Sequence, residues 1–217
     1  MTCVFLVIPG VLADTGNYTP EPGTVLLLTV PDVRQGTEYT CGASALQAVL
    51  NYWGIDMRED ELVELLNTTE ESGTPPENIQ SVAASLGLTA SVEENLTPEQ
   101  LEESIDANIP VIIAAQAWNG EYADDGTWIS VTPESWNDTW EDGHYMVVIG
   151  IDDRNVYLED PAQLGTRGVI PIGEFLSRWH DYDGGTGTGK PEHVYDHLGI
   201  IISGDEPASY PAYTPVT

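Results

Sequence analysis

Two kinds of hydrophobic pattern succeed one another along the chain, and their order limits the fold more than any other feature. Before residue 110 the apolar residues recur mostly at helical spacing; after it they come in short continuous runs. Gly42 to Tyr52 reads as a helix of small and apolar residues with Gly54 as its stop. Arg58 to Leu66 is a short amphipathic helix with Leu62, Leu65 and Leu66 on one face. Thr74-Pro75-Pro76-Glu77 opens a third helix that runs to Leu86 and stops at Gly87. Leu88 to Val92 is a strand, and Thr97-Pro98-Glu99-Gln100 is a capping box for a helix ending near Asn108. Strands are then expected at Pro110–Ala117, His144–Ile151, Val156–Leu158, Gly168–Ile172 and His197–Ser203, with a short helix over Gly173–Trp179. Helices first and antiparallel strands after predict an α+β fold: a helical N-terminal lobe packed on an antiparallel sheet.

One domain accounts for most of the 217 residues, over 31–203, interrupted by a Trp-rich insertion at 118–143. Trp118, Trp128, Trp136 and Trp140 stand there among Gly, Asp and Asn, as a long loop or short hairpin beside the site. Val25 to Val30 reads as a strand leading into the domain, after a polar linker from residue 14. The tail, 204–217, is Pro- and Tyr-rich and is expected to be flexible. Cys3 to Ala13 is an apolar run that resembles a secretory signal peptide, residues 1–13, with Val11-Leu12-Ala13 before the cleavage point. Only Met1 and Thr2 precede it, so the basic segment is missing and the true start is expected upstream. The run is too short to span a bilayer, and no later stretch is long enough, so the mature chain is expected to carry no membrane span.

Thirty-six acidic residues stand against six basic ones, a formal charge of −30. Such a surface repels nucleic acid and anionic membranes, and both are rejected as partners. A single lysine, Lys190, with abundant Asp and Glu suggests a halophilic protein, an acidic secreted protein being the alternative. Removal of the signal would leave Cys41 as the only cysteine, so no internal disulfide is expected. Asn-x-Thr triplets at Asn17, Asn67, Asn95 and Asn137 add to the expectation of an extracellular or cell-surface location.

A lone thiol in an exported chain calls for a reason, and nucleophilic catalysis is the first to test. Cys41 stands where an irregular polar segment turns into a helix. Unsatisfied N–H groups and the positive end of the dipole favour thiolate there. Gln35 lies six residues upstream, within reach of the same spot. A cysteine nucleophile needs a base, and the base an orienting acceptor. His144 opens the strand HYMVVIGI, with Gly143 before it leaving backbone room. Asp160-Pro161 comes sixteen residues later at the end of the next strand. If those strands pair through their turn, His144 and Asp160 stand side by side. The competing readings are a buried structural Cys, a strand-edge His and a turn-forming Asp.

Gln35-x5-Cys41-Gly42, Gly143-His144-Tyr145 and Asp160-Pro161, with Tyr52-Trp53-Gly54 after the cysteine helix, resemble the bacteriocin-processing, double-glycine leader peptidases. These are family thirty-nine of the cysteine peptidases, with a papain-like fold. The resemblance covers roughly 31–203. It implies Cys41 as nucleophile, His144 as base, Asp160 as orienting residue and Gln35 as oxyanion-hole donor beside the Cys41 backbone N–H. The family's best-known members precede the membrane and ATPase domains of an exporter; none is seen here, so the chain looks like a stand-alone member.

Other motifs are weaker. Gly184 to Lys190 matches G-x4-G-K, but Pro191 stands where a Ser or Thr would hold magnesium. His193-x3-His197 has metal spacing without helical context, and the acidic stretches at Asp152-Asp153 and Glu121–Asp125 lack a calcium-loop pattern. No cofactor and no metal are expected. The favoured reading is a monomeric secreted cysteine peptidase acting on a peptide or protein. The alternatives are a catalytically silent papain-like binding module and a cell-wall amidase using the same residues.

Overall fold

A computed structural model describes residues 25–117, 120–122, 128–130, 133, 135–162, 167–183 and 193–209. The expected signal peptide, most of the linker, the G-x4-G-K stretch and the last eight residues lie outside the described residues, as do parts of the Trp-rich insertion.

Helix α1 (Cys41–Tyr52) is the central element, with ten of its twelve residues buried. Ala43, Ala45 and Ala48 let the backbone lie close to its neighbours, while Leu46, Val49 and Leu50 fill the core. Next come α2 (Glu59–Leu65) and α3 (Pro76–Ser85), then strand β1 (Thr89–Glu93) and α4 (Pro98–Asp106). The Thr97 capping box forms as expected: Thr97 N–H donates to Gln100 Oε1 at 2.9 Å, and Gln100 N–H to Thr97 Oγ1 at 3.4 Å. Helices α1 to α4 each end on a left-handed residue: Gly54, Asn67, Gly87 and Asn108, with φ of 79°, 51°, 91° and 61°. The next N–H then returns to a carbonyl of the last turn, as from Ile55 to Leu50 at 2.8 Å. On α2, Leu62 and Leu66 are buried, but Leu65 faces solvent at 52% exposure, so the predicted three-leucine face holds only two.

Strands β2 (Val111–Gln116), β3 (Gly120–Tyr122), β4 (Trp128–Ser130), β5 (Gly143–Ile151), β6 (Asn155–Glu159) and β7 (Arg167–Pro171) follow. After them come α5 (Ile172–Arg178), β8 (His180–Tyr182), β9 (Val194–Asp196) and β10 (Gly199–Ser203). One antiparallel sheet has the order β1-β10-β2-β5-β6-β7; β3-β4 and β8-β9 are separate two-stranded ribbons. All of β2 and nearly all of β5 are buried. Successive side chains point to opposite faces, so both faces are covered at the sheet centre. Helices α1 and α4 pack on β5, and β8 packs on β2.

Three expectations need correction. Residues 25–30 form no strand: Leu28 N–H donates to Ile149 O at 2.7 Å, and Arg167 donates to Val30 O at 2.8 Å. Ile149 is the extra residue of a β-bulge where β5 meets β6, and its carbonyl takes this outside donor. His197 does not begin the closing strand; it is left-handed at φ 49° and stacks on Trp179, ring centroids 4.6 Å apart. The start of the tail is tied down, since Ala208 N–H donates to Tyr52 O at 2.7 Å and Gly204 lies against Trp53.

Candidate active site

Cys41 is the first residue of α1 and is 8% exposed. Its helix starts there because the preceding polar segment folds on itself: Thr37 N–H donates to Thr40 Oγ1 at 3.2 Å. Gly42 is required next, for a Cβ would stand 2.7 Å from Thr74 and 3.1 Å from the Tyr145 ring. Burial alone would raise the Cys41 pKa, but the hydrogen bond and charge of His144 and the backbone N–H groups of Tyr145 and Gly42 outweigh it and lower it.

His144 enters the same spot from the N-terminal end of β5, 7% exposed. Its Nε2 lies 2.8 Å from Asp160 Oδ1, which leaves Nδ1 for the Cys41 sulfur. Burial disfavours the imidazolium, yet Asp160 and Cys41 together raise its pKa to about 10. The favoured state of the pair is thiolate and imidazolium. Asp160, 2% exposed, is held in turn: its Oδ1 accepts Ala162 N–H at 2.8 Å.

The bulge at Ile149 places these two side chains together. Beyond it Val148 pairs with Leu158 and Val147 with Glu159. Continuing that register sets Asp160 opposite Met146, on the face His144 shares. Before the bulge, Ile151 pairs with Val156 and Gly150 with Tyr157. That register, continued, would have set Asp160 opposite Val147, on the other face. Pairing through the turn was therefore not enough by itself.

Gln35 is half-buried on the segment before α1. Its backbone N–H donates to Pro161 O at 3.0 Å, beside Asp160, and its side-chain amide donates to Thr37 O at 2.8 Å. The structure thus brings Cys41, His144 and Asp160 into one hydrogen-bonded chain and holds Gln35 on the adjoining segment.

Three carboxylates gave no sequence signal. Glu159, 1% exposed, accepts Val33 N–H at 2.9 Å, and burial pushes its pKa up to about 8. Glu159 Oε2 and Gln35 Oε1 are the buried side-chain oxygens without a hydrogen-bond partner among the described residues. Glu59 Oε1 accepts Gly36 N–H at 2.8 Å and Ser44 Oγ–H at 2.9 Å, tying the Gln35 segment to α1. Asp181, on β8, lies over Gly143: a Cβ there would stand 2.5 Å from Asp181 Oδ1. The room expected at Gly143 is filled by this carboxylate. Each acts through folded contacts far apart in the chain, which no local spacing encodes.

A cleft of about 410 Å³ opens over Cys41 and His144. Thr74 and Tyr145 line one side, tied by Tyr145 O–H to Thr74 O at 2.9 Å. Trp140 and Glu141, from the end of the Trp-rich insertion, line another. Trp140 packs on His180 with ring centroids 4.3 Å apart, and Trp136 lies under the Arg178 guanidinium at 3.4 Å. Two of the weaker motifs, among the described residues, serve structure. His193 pairs with Glu94 at 2.9 Å, and Asp152 accepts the N–H groups of Arg154 and Asn155 at 2.8 Å, closing its turn. No group of three or more metal-ligating side chains occurs among the described residues. No helix among them is long and apolar enough to cross a membrane.

A family model described as the Peptidase_C39 like family matches residues 27–186. An uncharacterized protein of Methanothermobacter marburgensis is 31% identical over 130 residues, 60% of this chain and 70% of that one. One of Methanothermobacter thermautotrophicus is 32% identical over 131 residues, with the same coverage of 60% and 70%. Among solved structures, one described as a C39-like peptidase from Bacillus anthracis superposes with a TM-score of 0.57 at 18% identity, covering 84% of this chain and 99% of that one. The peptidase domain of Streptococcus ComA, a bifunctional ABC transporter, gives a TM-score of 0.55 at 20% identity, covering 81% and 99%. A double-glycine motif protease of an AMS/PCAT transporter, solved with its leader peptide, gives 0.52 at 19%, covering 81% and 92%. At these identities the structures speak to the fold, a helical layer on an antiparallel sheet.

Proposed function

Because the chain belongs to the C39-like peptidase family, we propose that it is an active cysteine peptidase, with Cys41, His144 and Asp160 as its triad. The observation that carries this reading is the hydrogen-bonded chain from the sulfur through His144 to Asp160, set at the head of α1 and opening on a cleft.

The Cys41 thiolate attacks the scissile carbonyl carbon, and the carbonyl oxygen takes the electron pair. One N–H of the Gln35 amide is engaged by Thr37 O; the second is assigned to the oxyanion, with the Cys41 backbone N–H as the other donor. As the C–N bond breaks, the His144 imidazolium gives its proton to the departing amine. The thioester remains. Water then loses a proton to His144 and attacks the thioester, the acid leaves, and thiolate and imidazolium are restored. Asp160 keeps the ring oriented throughout.

We assign the substrate as a peptide or protein, met outside the cell by a monomer. The apolar N-terminal run and the Asn-x-Thr triplets support export. Export predicts a mature chain beginning at Asp14, checked by N-terminal sequencing of the secreted protein; an intact Met1 counts against it.

The test of the enzyme reading is alkylation of Cys41 by iodoacetamide between pH 5 and 10, read by mass spectrometry of the Cys41 peptide. Wild type is expected to react well below pH 9, and His144→Ala to lose about tenfold or more at pH 6. Cys41→Ala abolishes turnover of a cleaved peptide. Equal, sluggish labelling of wild type and His144→Ala refutes catalysis and favours a silent binding module.

A further inference from the structure

We infer that the cleft selects a substrate with a cationic side chain, Lys or Arg, close to the bond that Cys41 attacks, and that Asp181 is the residue that selects it. This rests on the peptidase reading of the same cleft.

Seven of the twenty residues lining the cleft are Asp or Glu, and none is Lys or Arg. The whole chain has 36 acidic residues in 217, so the lining is about twice as acidic as the average. Carboxylates on an acidic surface mean little one by one, and Asp181 differs from the rest. It is partly buried in the cleft wall against Gly143, the residue before the proposed base. Its donors are neutral: Tyr182 N–H at 2.9 Å and the Gln116 amide at 3.4 Å, both to Oδ1. Among the described residues no Lys or Arg forms an ion pair with it. Burial raises its pKa to about 6, against the pull of those donors and of His144, so near neutrality it is a mostly ionised group withdrawn from water. A cation that enters the cleft recovers the interaction lost on burial.

Aromatic rings complete the selection. Trp140 and Tyr182, ring centroids 6.3 Å apart, both line the same cleft. A cleft that offers both aromatic rings and carboxylates suits a long aliphatic stem that ends in an ammonium or guanidinium. Glu77 also lines the cleft and repels any anionic residue that enters it.

The first arm of the test needs no turnover. Cys41 is modified by cationic 2-aminoethyl methanethiosulfonate and by neutral methyl methanethiosulfonate, in 1 M NaCl to screen the field of the whole acidic chain. The cation-to-neutral rate ratio is expected to fall at least threefold in Asp181→Asn and to stay at the wild-type value in Glu206→Gln, an exposed carboxylate beyond the cleft. Asp181→Ser supplies the same comparison if Asp181→Asn fails to fold. The second arm uses quenched peptides scanned with Arg against citrulline at each position. One position should favour Arg about tenfold or more in wild type, and the preference should shrink in Asp181→Asn. Equal thiosulfonate ratios in wild type and variant overturn the inference whatever the peptides do, and so does an Arg preference that survives the substitution. Charge selectivity at Cys41 with no peptide cleaved overturns the peptidase reading and upholds the cation preference.

Discussion

At the scale of single residues, the site runs on buried charges with opposing fates. His144 is raised to about 10 and Cys41 is lowered below its ordinary 9, so the shared proton prefers the imidazole to the sulfur. Turnover is expected to hold through the mildly alkaline range and decline as His144 loses its proton near pH 10, checked by a kcat/KM profile. Glu159 moves the other way. Its value of about 8 stands above the ordinary 4.5, so the native state prefers the neutral acid. Below pH 4.5 folded and unfolded chains both hold that proton. As pH rises towards 8 the unfolded chain ionises freely and the folded one does not, so stability falls. The loss from this group between pH 5 and 8 is on the order of 3 kcal/mol. Urea unfolding across that range should show the slope in wild type and a flatter one in Glu159→Gln. Sequence reading picked out Cys41, His144, Asp160 and Gln35 because each sits at a recognisable junction of helix, strand or turn. Glu59, Glu159 and Asp181 could not be picked out that way, since their partners are 15 to 126 residues distant or across a packed face.

At the scale of elements, the helices were legible because their ends are written locally. Thr97 with Gln100 starts α4, and Gly54 and Gly87 close α1 and α3. Gly54→Ala, at φ 79°, is expected to lower stability by about 1 kcal/mol, measured by denaturant unfolding. Asn67 and Asn108 close their helices in the same way, and Asn is a weaker signal for that conformation than Gly. Strands β8 and β9 were missed because three residues carry no readable period; β8 is held by β2 and its Gln116, and β9 pairs with β8. The bulge at Ile149 was also invisible, since nothing in HYMVVIGI marks which residue the partner strand skips. Deleting Ile149 leaves a regular ladder with Val148 still opposite Leu158, so Asp160 keeps the face of His144, while Leu28 N–H loses the Ile149 carbonyl. The deletion variant is expected to fold less stably in urea unfolding, yet to keep Cys41 alkylation at pH 6 within about tenfold of wild type; a larger loss shows that the bulge does more than set the register.

At the scale of the whole molecule, a charge of −30 works against compactness through self-repulsion. Salt screens that repulsion, so the melting temperature is expected to climb from low to molar KCl; a flat curve in thermal unfolding counts against a halophilic habit. The two-layer α+β class was readable from the order of patterns, but the strand order was not, since the last strand enters the sheet between β1 and β2. That insertion carries a consequence for biosynthesis. While residues 199–203 are still inside the ribosome, β1 and β2 have open edges where β10 belongs, and the platform under α1 is incomplete. The sheet that carries His144 would thus close only once β10 has left the ribosome, so assembly of the site waits on the far end of the domain.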